Sequence, residues 1–189
     1  MNKLLDTDSY KASHYKQYPV GMNFMSSYLS ARSPLMMKNE DLREKEAVST
    51  RITFFGLQGL LKEHFSRPIT EADVEEAEDY FALHGEPFNK EGFLYIVKEH
   101  GGYYPILIKA VQEGLRIPYG NALMTVESTD PKVPWIVNYA ETELVRLWYP
   151  CTVASLSAAI KENIFRALIK SSDDPIGQIP FKLHDFGLI

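Results

Sequence analysis

The chain has 189 residues, of which 45% are hydrophobic and 24% charged, a composition that excludes a disordered tail and suits one well-buried domain. Its net charge of −5 argues against non-specific binding to nucleic acid, whose phosphates require a basic surface, but allows a phosphorylated substrate held by a few placed cations. The lone cysteine cannot form an internal disulfide and no run approaches the roughly 20 apolar residues of a membrane helix, so a soluble, cytoplasmic protein is expected.

The first third of the chain is predicted to contain an irregular segment, a strand and a helix. Residues 1–20 combine aromatic and polar side chains without helical or strand spacing. The segment 23–32 is typical of a strand and 35–50 of a charged loop or an exposed turn of helix. A helix is expected over 52–65, because its apolar residues recur at helical spacing.

Two further helices carry end signals in the sequence. Thr70 is an expected N-cap, and Asp73, three residues later, occupies the capping-box position of a helix that Gly85 ends. A shorter helix is expected over 89–100, where a pair of glycines follows.

A change of period then predicts a small antiparallel meander. Residues 106–111 are rich in β-branched side chains and indicate a strand, 115–117 begin the return strand after a Glu-Gly turn, and 122–127 form a third strand.

The C-terminal third is predicted to be mainly helical. Helices are expected over 135–148 and about 152–170, with Pro150 breaking the chain between them, and 181–186 is typical of a final strand. Cys151 is expected to be a buried structural thiol and not a nucleophile. The whole is an α+β fold in which helices pack around a small antiparallel sheet.

The first candidate site is the segment 8–19, which holds an acid, several bases and several aromatic rings. With Asp8 and Tyr10 close in sequence, it is suited to bind a flat heterocycle or a sugar phosphate. The alternative is an N-terminal arm whose tyrosines bury their rings against a core.

The second candidate site is the segment 182–187, in which His184 and Asp185 precede Phe186 and a glycine. Such polar pairs at strand ends are common where α/β sites are built, although an ordinary strand terminus has the same pattern. Arg32 is a third candidate, because its guanidinium can form two parallel hydrogen bonds to a phosphate. The alternative is an arginine at a strand end that contacts only water.

A series of motifs along nearly the whole chain, in one order, resembles the nicotinamide phosphoribosyltransferase family. The motifs are T-D-S-Y-K-x-x-H-Y-K-Q-Y-P, S-Y-x-x-x-R, F-G-L-Q, P-I-x-I-K-A-V-x-E-G, I-P-x-G-N, T-V-E-x-T-D-P, E-T, W-Y-P-x-T-V-A and K-L-H-D-F-G. Each motif is weak alone, but their shared register is specific.

The resemblance implies a pentosyltransferase that moves a phosphoribosyl group from 5-phosphoribosyl 1-pyrophosphate to nicotinamide, giving nicotinamide mononucleotide for NAD biosynthesis. It also implies a homodimer with the active site at the subunit interface. Tyr10 of one subunit and Phe186 of the other would sandwich the pyridine ring, Asp8 would lie beside that tyrosine, and Arg32 would contact the diphosphate. Mg²⁺ would bridge the pyrophosphate, and the resemblance leaves ATP as a possible cofactor of complete relatives.

The end of the chain departs from the family pattern. Leu188 and Ile189 stand where the family continues with an aromatic and a phosphate-binding arginine, and most of the family's α/β barrel lies further on. The expected organisation is therefore an N-terminal phosphoribosyltransferase domain over 1–180 and the first strand of the barrel over 181–189. We expect this chain alone to be inactive.

Three alternatives stay open on the sequence. The chain could be one half of a split enzyme that pairs with a complementing C-terminal half. It could be a non-catalytic interaction domain that occupies the dimer interface of a full-length homologue. It could also belong to the nicotinate-using branch, since the groups that distinguish acid from amide lie outside these residues.

Overall fold

The computed structural model describes residues 2–32 and 50–184. The chain divides into two compact units, each built from separate stretches of sequence. The first comprises Met1–Leu29, Leu57–Ala110 and Met124–Arg146, and the second comprises Ser30–Gly56, Val111–Leu123 and Leu147–Ile189.

Helices and two small antiparallel sheets make up the described parts of the chain, so the predicted α+β class is confirmed. The strands are β1 (Ser26–Ser30), β2 (Arg51–Thr53), β3 (Ile106–Ala110), β4 (Arg116–Pro118) and β5 (Ala122–Ser128). The α-helices are α1 (Leu57–Leu60), α2 (Glu71–His84), α3 (Lys90–His100), α4 (Ile136–Tyr139), α5 (Glu141–Val145), α6 (Trp148–Ser171) and α7 (Pro175–Gln178), and a π-helical turn, Leu61–Phe65, continues α1.

The larger sheet has the strand order β1-β5-β3, with β3 antiparallel to β5 in a register that pairs Ile106 with Ser128 and Ala110 with Met124. β5 is the central strand and the most buried, as expected for a strand with neighbours on both sides.

The smaller sheet corrects the predicted meander. β4 pairs with β2, with Ile52 opposite Ile117, and not with β3, whose partner is β5. β2 itself lies in a stretch that helical spacing assigned to a helix. Gly56 has φ +100 and separates this strand from α1, so the helical pattern holds only from Leu57 onward.

The end signals of α2 and α3 are confirmed. The Thr70 side chain accepts from the Asp73 amide at 3.2 Å, the Asp73 carboxylate accepts from the Thr70 amide at 2.8 Å, and Gly85 ends α2 in the left-handed region at φ 81. Gly101 ends α3 in the same region at φ 59, as the pair of glycines predicted. Asn89, which was expected to be the first helical residue, is instead the cap before α3 and accepts from the Gly92 amide at 3.1 Å.

The predicted break at Pro150 is wrong. Pro150 is the third residue of α6, in the first turn, where a backbone N–H has no intrahelical acceptor to lose. The chain instead interrupts its helices at 146–147, before Trp148, and the predicted helix over 135–148 is divided into α4 and α5.

Each unit has its own core. In the first, the Phe93 ring lies 4.8 Å from Trp135 and 4.8 Å from Tyr139, both edge to face. In the second, Phe54 is fully buried, and Cys151 donates to the Phe55 carbonyl at 3.3 Å. Cys151 is buried, as predicted, and burial raises the pKa of its thiol, which fits a structural role better than a nucleophilic one.

The predicted last strand is not present where the structure describes it. Ile179–Phe181 form a single 3-10 turn, residues 182–184 are irregular, and 185–189 lie outside the described residues. The boundary between 180 and 181 stays a prediction. Across the described ranges, no helix combines the length and the apolar character needed to cross a bilayer.

Candidate functional site

The aromatic N-terminal segment of the first unit folds into two short 3-10 turns, Ser9–Ala12 and His14–Lys16. Asp8 starts the first turn, where its carbonyl accepts from the Lys11 amide at 2.9 Å. The turns bury Lys11 and Ala12 while Tyr10 stays 51% exposed. The segment therefore combines both expectations: the Tyr10 ring faces outward, whereas Tyr15 is half-buried with its ring 6.5 Å from the core residue Trp135.

Asp8, Tyr10 and Thr142 form a hydrogen-bonded group. Asp8 Oδ2 accepts from the Tyr10 hydroxyl at 3.2 Å and from the Thr142 hydroxyl at 2.8 Å, while the Asp8 amide donates to Thr142 Oγ1 at 3.2 Å. Partial desolvation and the Asp8 carboxylate raise the pKa of Tyr10, so its hydroxyl keeps its proton at neutral pH. The structure thus presents a neutral, exposed aromatic face whose edge is fixed to α5.

Lys11 places a buried cation beside this face. Its side chain is 5% exposed, its ammonium donates to Asn138 Oδ1 at 2.6 Å, and it forms an ion pair with Glu141. The ammonium also lies 5.3 Å from the centre of the Tyr10 ring, within cation–π range. A buried ammonium requires such partners because desolvation without them is unfavourable.

Asn138 binds two further aromatic residues of the segment, His14 and Tyr18. Its amide nitrogen lies 2.7 Å from His14 Nδ1 and also donates to the Tyr18 hydroxyl. The His14 ring lies 5.2 Å from the Tyr10 ring at an angle of 46°. Through Asn138, α4 fixes His14 next to Tyr10.

Sequence reasoning did not identify Asn138, Glu141 or Thr142 as part of a site. They lie on the polar side of a stretch whose apolar side is core, and such a side is usually solvated. Their closeness to one another within five residues, opposite a cationic and aromatic segment, is the signal that could have drawn attention to them.

Of the four predicted site residues, the structure describes three, and two of these lie together. Asp8 and Tyr10 lie together in the first unit, as described. Arg32 belongs to the second unit and is exposed, directly before the undescribed stretch 33–49. Phe186 lies outside the described residues. The substrate-binding roles of all four remain predictions.

Glu143, next to Thr142, is turned into the first unit and not toward this surface. It is 1% exposed, and its Oε2 has no hydrogen-bond partner among the described residues. Burial raises its pKa from 4.5 to about 7, and Asp6 adds to this, while Lys3 and Arg146 oppose it. Since no ligand can reach it, Glu143 affects stability and not the chemistry of the surface.

Metal ligands are not assembled in the described ranges: no three His, Cys, Asp or Glu side chains there are close enough to hold an ion together. The Asp8 carboxylate, the one acid beside Tyr10 in sequence, is already used by two hydroxyl donors.

Comparisons with known proteins agree with the motifs. The family described as nicotinamide phosphoribosyltransferase, N-terminal domain, matches residues 2–108. A nicotinamide phosphoribosyltransferase of Xanthomonas campestris is 48% identical over 186 residues, covering 98% of this chain. Proteins of the same name from Acinetobacter baylyi and Mycoplasma genitalium are 29% and 24% identical, covering 98% and 100% of it. The chain spans 37% of the length of the first two relatives and 44% of the third.

Proposed function

Because the chain belongs to the nicotinamide phosphoribosyltransferase family, we propose that it is the N-terminal part of an enzyme that transfers a phosphoribosyl group from 5-phosphoribosyl 1-pyrophosphate to nicotinamide. The product would be nicotinamide mononucleotide, a precursor in NAD salvage. The observation that carries this proposal is the exposed Tyr10 ring, held by Asp8, Thr142 and Lys11.

The Tyr10 face suits a pyridine carboxamide. A flat, neutral heteroaromatic gains both from burial and from stacking on an aromatic ring, and the Asp8–Thr142 contacts limit the motion of that ring. Phe186 would supply the second face of the sandwich and Arg32 a contact to the diphosphate. Both assignments rest on the family pattern.

The reaction exchanges two bonds at the anomeric carbon of the ribose. The pyridine nitrogen forms a bond to that carbon as the bond to the pyrophosphate oxygen breaks, and the pyrophosphate leaves with the electron pair. Positive charge develops on the sugar, so positioning of the ring and stabilisation of the leaving group account for most of the rate. Mg²⁺ would arrive bound to the pyrophosphate, whose oxygen atoms are the ligands that this ion prefers.

Activity is proposed to require residues beyond this sequence. The chain covers about two fifths of its relatives' length, and the proposed partner is a C-terminal part, in the same polypeptide or in a separate half. A homodimer would bring Tyr10 of one subunit to the pyridine site of the other. ATP coupling, where complete relatives have it, would also depend on that part. The buried, reduced thiol of Cys151 fits a cytoplasmic enzyme.

A reconstitution assay tests the proposal. The chain would be incubated with nicotinamide, 5-phosphoribosyl 1-pyrophosphate and Mg²⁺, alone and with the C-terminal part of the Xanthomonas relative, and nicotinamide mononucleotide measured. We expect product only on mixing, with nicotinate a poorer substrate. The full-length relative is the positive control. Absence of product on mixing, with that control active, would overturn the proposal.

Two substitutions of Tyr10 test its role in the same assay. Tyr10→Ala removes the ring and is expected to lower kcat/KM roughly tenfold or more, as loss of an aromatic stacking contact and its burial predicts. Tyr10→Phe keeps the ring and loses only the bond to Asp8, so it should retain most of the activity. Equal rates for Tyr10→Ala and the unmodified chain would contradict the stacking role.

A further inference from the structure

The hydrogen-bond network around Asn138 fixes which atoms of its side chain face which partners. The Lys11 ammonium lies 2.6 Å from one end of the Asn138 amide and is ion-paired with Glu141. An ammonium carries only donors, so the amide atom that faces it must be the oxygen. This settles the orientation of the amide, which the positions of its heavy atoms alone leave ambiguous.

That orientation in turn fixes the hydrogen on the His14 ring. With Asn138 Oδ1 toward Lys11, the NH₂ group faces the Tyr18 hydroxyl and His14 Nδ1, the latter at 2.7 Å. Two donors cannot face each other at that distance, so His14 Nδ1 must be the acceptor and carry no hydrogen. In the neutral ring the hydrogen then lies on Nε2, at the edge opposite to Asn138.

His14 is well placed to use this donor. Its ring is partly exposed and lies 5.2 Å from the exposed Tyr10 ring. Its hydrogen-bond partner within residues 2–32 and 50–184 is Asn138, through Nδ1, and no residue of those ranges accepts from Nε2. A ligand that lies against Tyr10 would therefore meet an N–H donor beside it.

We propose that Asn138 is a positioning residue that holds His14 as the Nε2–H tautomer, so that His14 donates a hydrogen bond to an oxygen of the ligand bound against Tyr10. The ligand part rests on the proposed function, whereas the tautomer does not. The oxygen is either the carboxamide carbonyl of the pyridine or a phosphate oxygen of the sugar donor, since both accept from an N–H.

Nitrogen-15 NMR of the histidine rings in this chain tests the tautomer without any catalysis. His14→Phe identifies the His14 signals among those of the five histidines. At a pH where the ring is neutral, we expect Nε2 to give the signal of a protonated nitrogen and Nδ1 that of a bare one. A His14 ring with its hydrogen on Nδ1, or one that exchanges between both tautomers, would overturn the inference from the unmodified chain alone.

Substitution of Asn138 supplies the second arm. Asn138→Asp keeps the shape of the side chain but replaces the NH₂ donor by a carboxylate oxygen, so the hydrogen should move to His14 Nδ1. Nδ1 should then give the signal of a protonated nitrogen and Nε2 that of a bare one. Asn89→Asp is the matched control: it makes the same change in the same unit and keeps the acceptor that caps α3. It should leave the His14 signals unchanged. A His14 pattern that is the same in Asn138→Asp as in the unmodified chain would refute the positioning role.

Titration with two probes tests the ligand contact and identifies its source. Nicotinamide and inorganic pyrophosphate are added separately to the labelled chain. Movement of the Nε2 signal with nicotinamide assigns the carbonyl oxygen, and movement with pyrophosphate assigns a phosphate oxygen. Asn138→Asp should weaken that binding at least about fivefold, as expected when a donor is replaced by an acceptor. No movement with either probe would overturn the ligand contact. Failure of the reconstitution assay, by contrast, would remove the proposed reaction and leave the tautomer result intact.

Discussion

Replacing Glu143 by Gln is expected to stabilise the first unit at alkaline pH far more than at acidic pH. Glu143 is 1% exposed, and its Oε2 has no hydrogen-bond partner among the described residues. Its pKa is raised by burial from 4.5 to about 7. The folded chain therefore favours the protonated carboxyl, and glutamine resembles that form without being able to ionise.

The sign of the effect follows from where the proton is bound. Well below pH 4.5 the carboxyl is protonated in both the folded and the unfolded chain, and it contributes no pH dependence. As the pH rises from 4.5 to about 7, the unfolded chain releases the proton that the folded chain still holds, so stability falls. Above that range the loss is complete and corresponds to about 3 kcal/mol, which Glu143→Gln avoids.

Urea unfolding from about pH 5 to about pH 8.5 measures this difference, with tryptophan fluorescence as the signal. A Trp148→Phe background leaves Trp135, which is 9% exposed in the first unit, as the one indole. The stability difference between Glu143→Gln and its parent should grow by about 2.5 kcal/mol across the series, because a smaller part of the loss has already occurred at pH 5. Glu63→Gln, at a side chain that is 77% exposed, is the control, and its stability difference from the parent should not change with pH. If the stability difference between Glu143→Gln and its parent also does not change with pH, the reasoning is refuted.

Three further predictions concern local structure. Gly102→Ala should destabilise the first unit by roughly 3 kcal/mol or more, because φ is +83 and a Cβ would lie 2.2 Å from the Ile69 carbonyl oxygen. Gly101→Ala is the control: its φ is +59 with open space around it, so it should lower the free energy of unfolding by only about 1 kcal/mol. Equal losses in the two variants would contradict the steric account. Thr70→Ala should lower the same free energy by about 1 kcal/mol, while serine at this position should preserve the capping box; no loss with alanine would show that the cap contributes little. Cys151 should react with a thiol reagent only as fast as the chain unfolds, since burial raises its pKa and covers the sulfur, and rapid labelling in buffer would contradict this.

Local signals predicted helix ends well because they depend on residues within one turn of one another. Thr70 with Asp73 satisfies amide groups that any helix start leaves unpaired, and Gly85 and Gly101 take the left-handed backbone that ends α2 and α3. Such pairs are visible in the sequence itself. The family resemblance is likewise confirmed, because it rested on many motifs in one order.

Strand pairing could not be predicted in the same way. β2 and β4 are three residues each, and their partners, such as Thr53 and Arg116, are far apart in sequence. A short alternation cannot specify which distant strand it will meet, so neighbouring strands in sequence were taken as partners. Pro150 shows a different limit: its effect depends on its position relative to the helix start, which packing determines and local sequence does not.

The candidate site contains residues that local sequence indicates and others that only contacts between distant residues reveal. Asp8 and Tyr10 were singled out because a dense aromatic and charged segment without regular spacing is unusual, and their role in binding substrate stays a prediction. Thr142, which binds Asp8, and Asn138, which binds Lys11 and His14, were not identified, because a polar residue on a helix has the same pattern whether it faces water or a buried lysine. The contact, and not the composition, distinguishes these situations.

The separation between Lys11 and its partners also has a consequence during synthesis. Lys11 is bound by residues that follow it by 127 and 130 positions, so the aromatic segment is made long before α4 and α5 exist. At the usual rate of translation this interval lasts roughly 7 to 25 seconds. Throughout it, the tyrosines of the segment and an unpaired lysine are on a nascent chain without the surface that orders them. The segment that is translated first is thus among the last to reach its final structure, and any ribosome-associated chaperone that binds exposed aromatic residues would meet it before its own partners do.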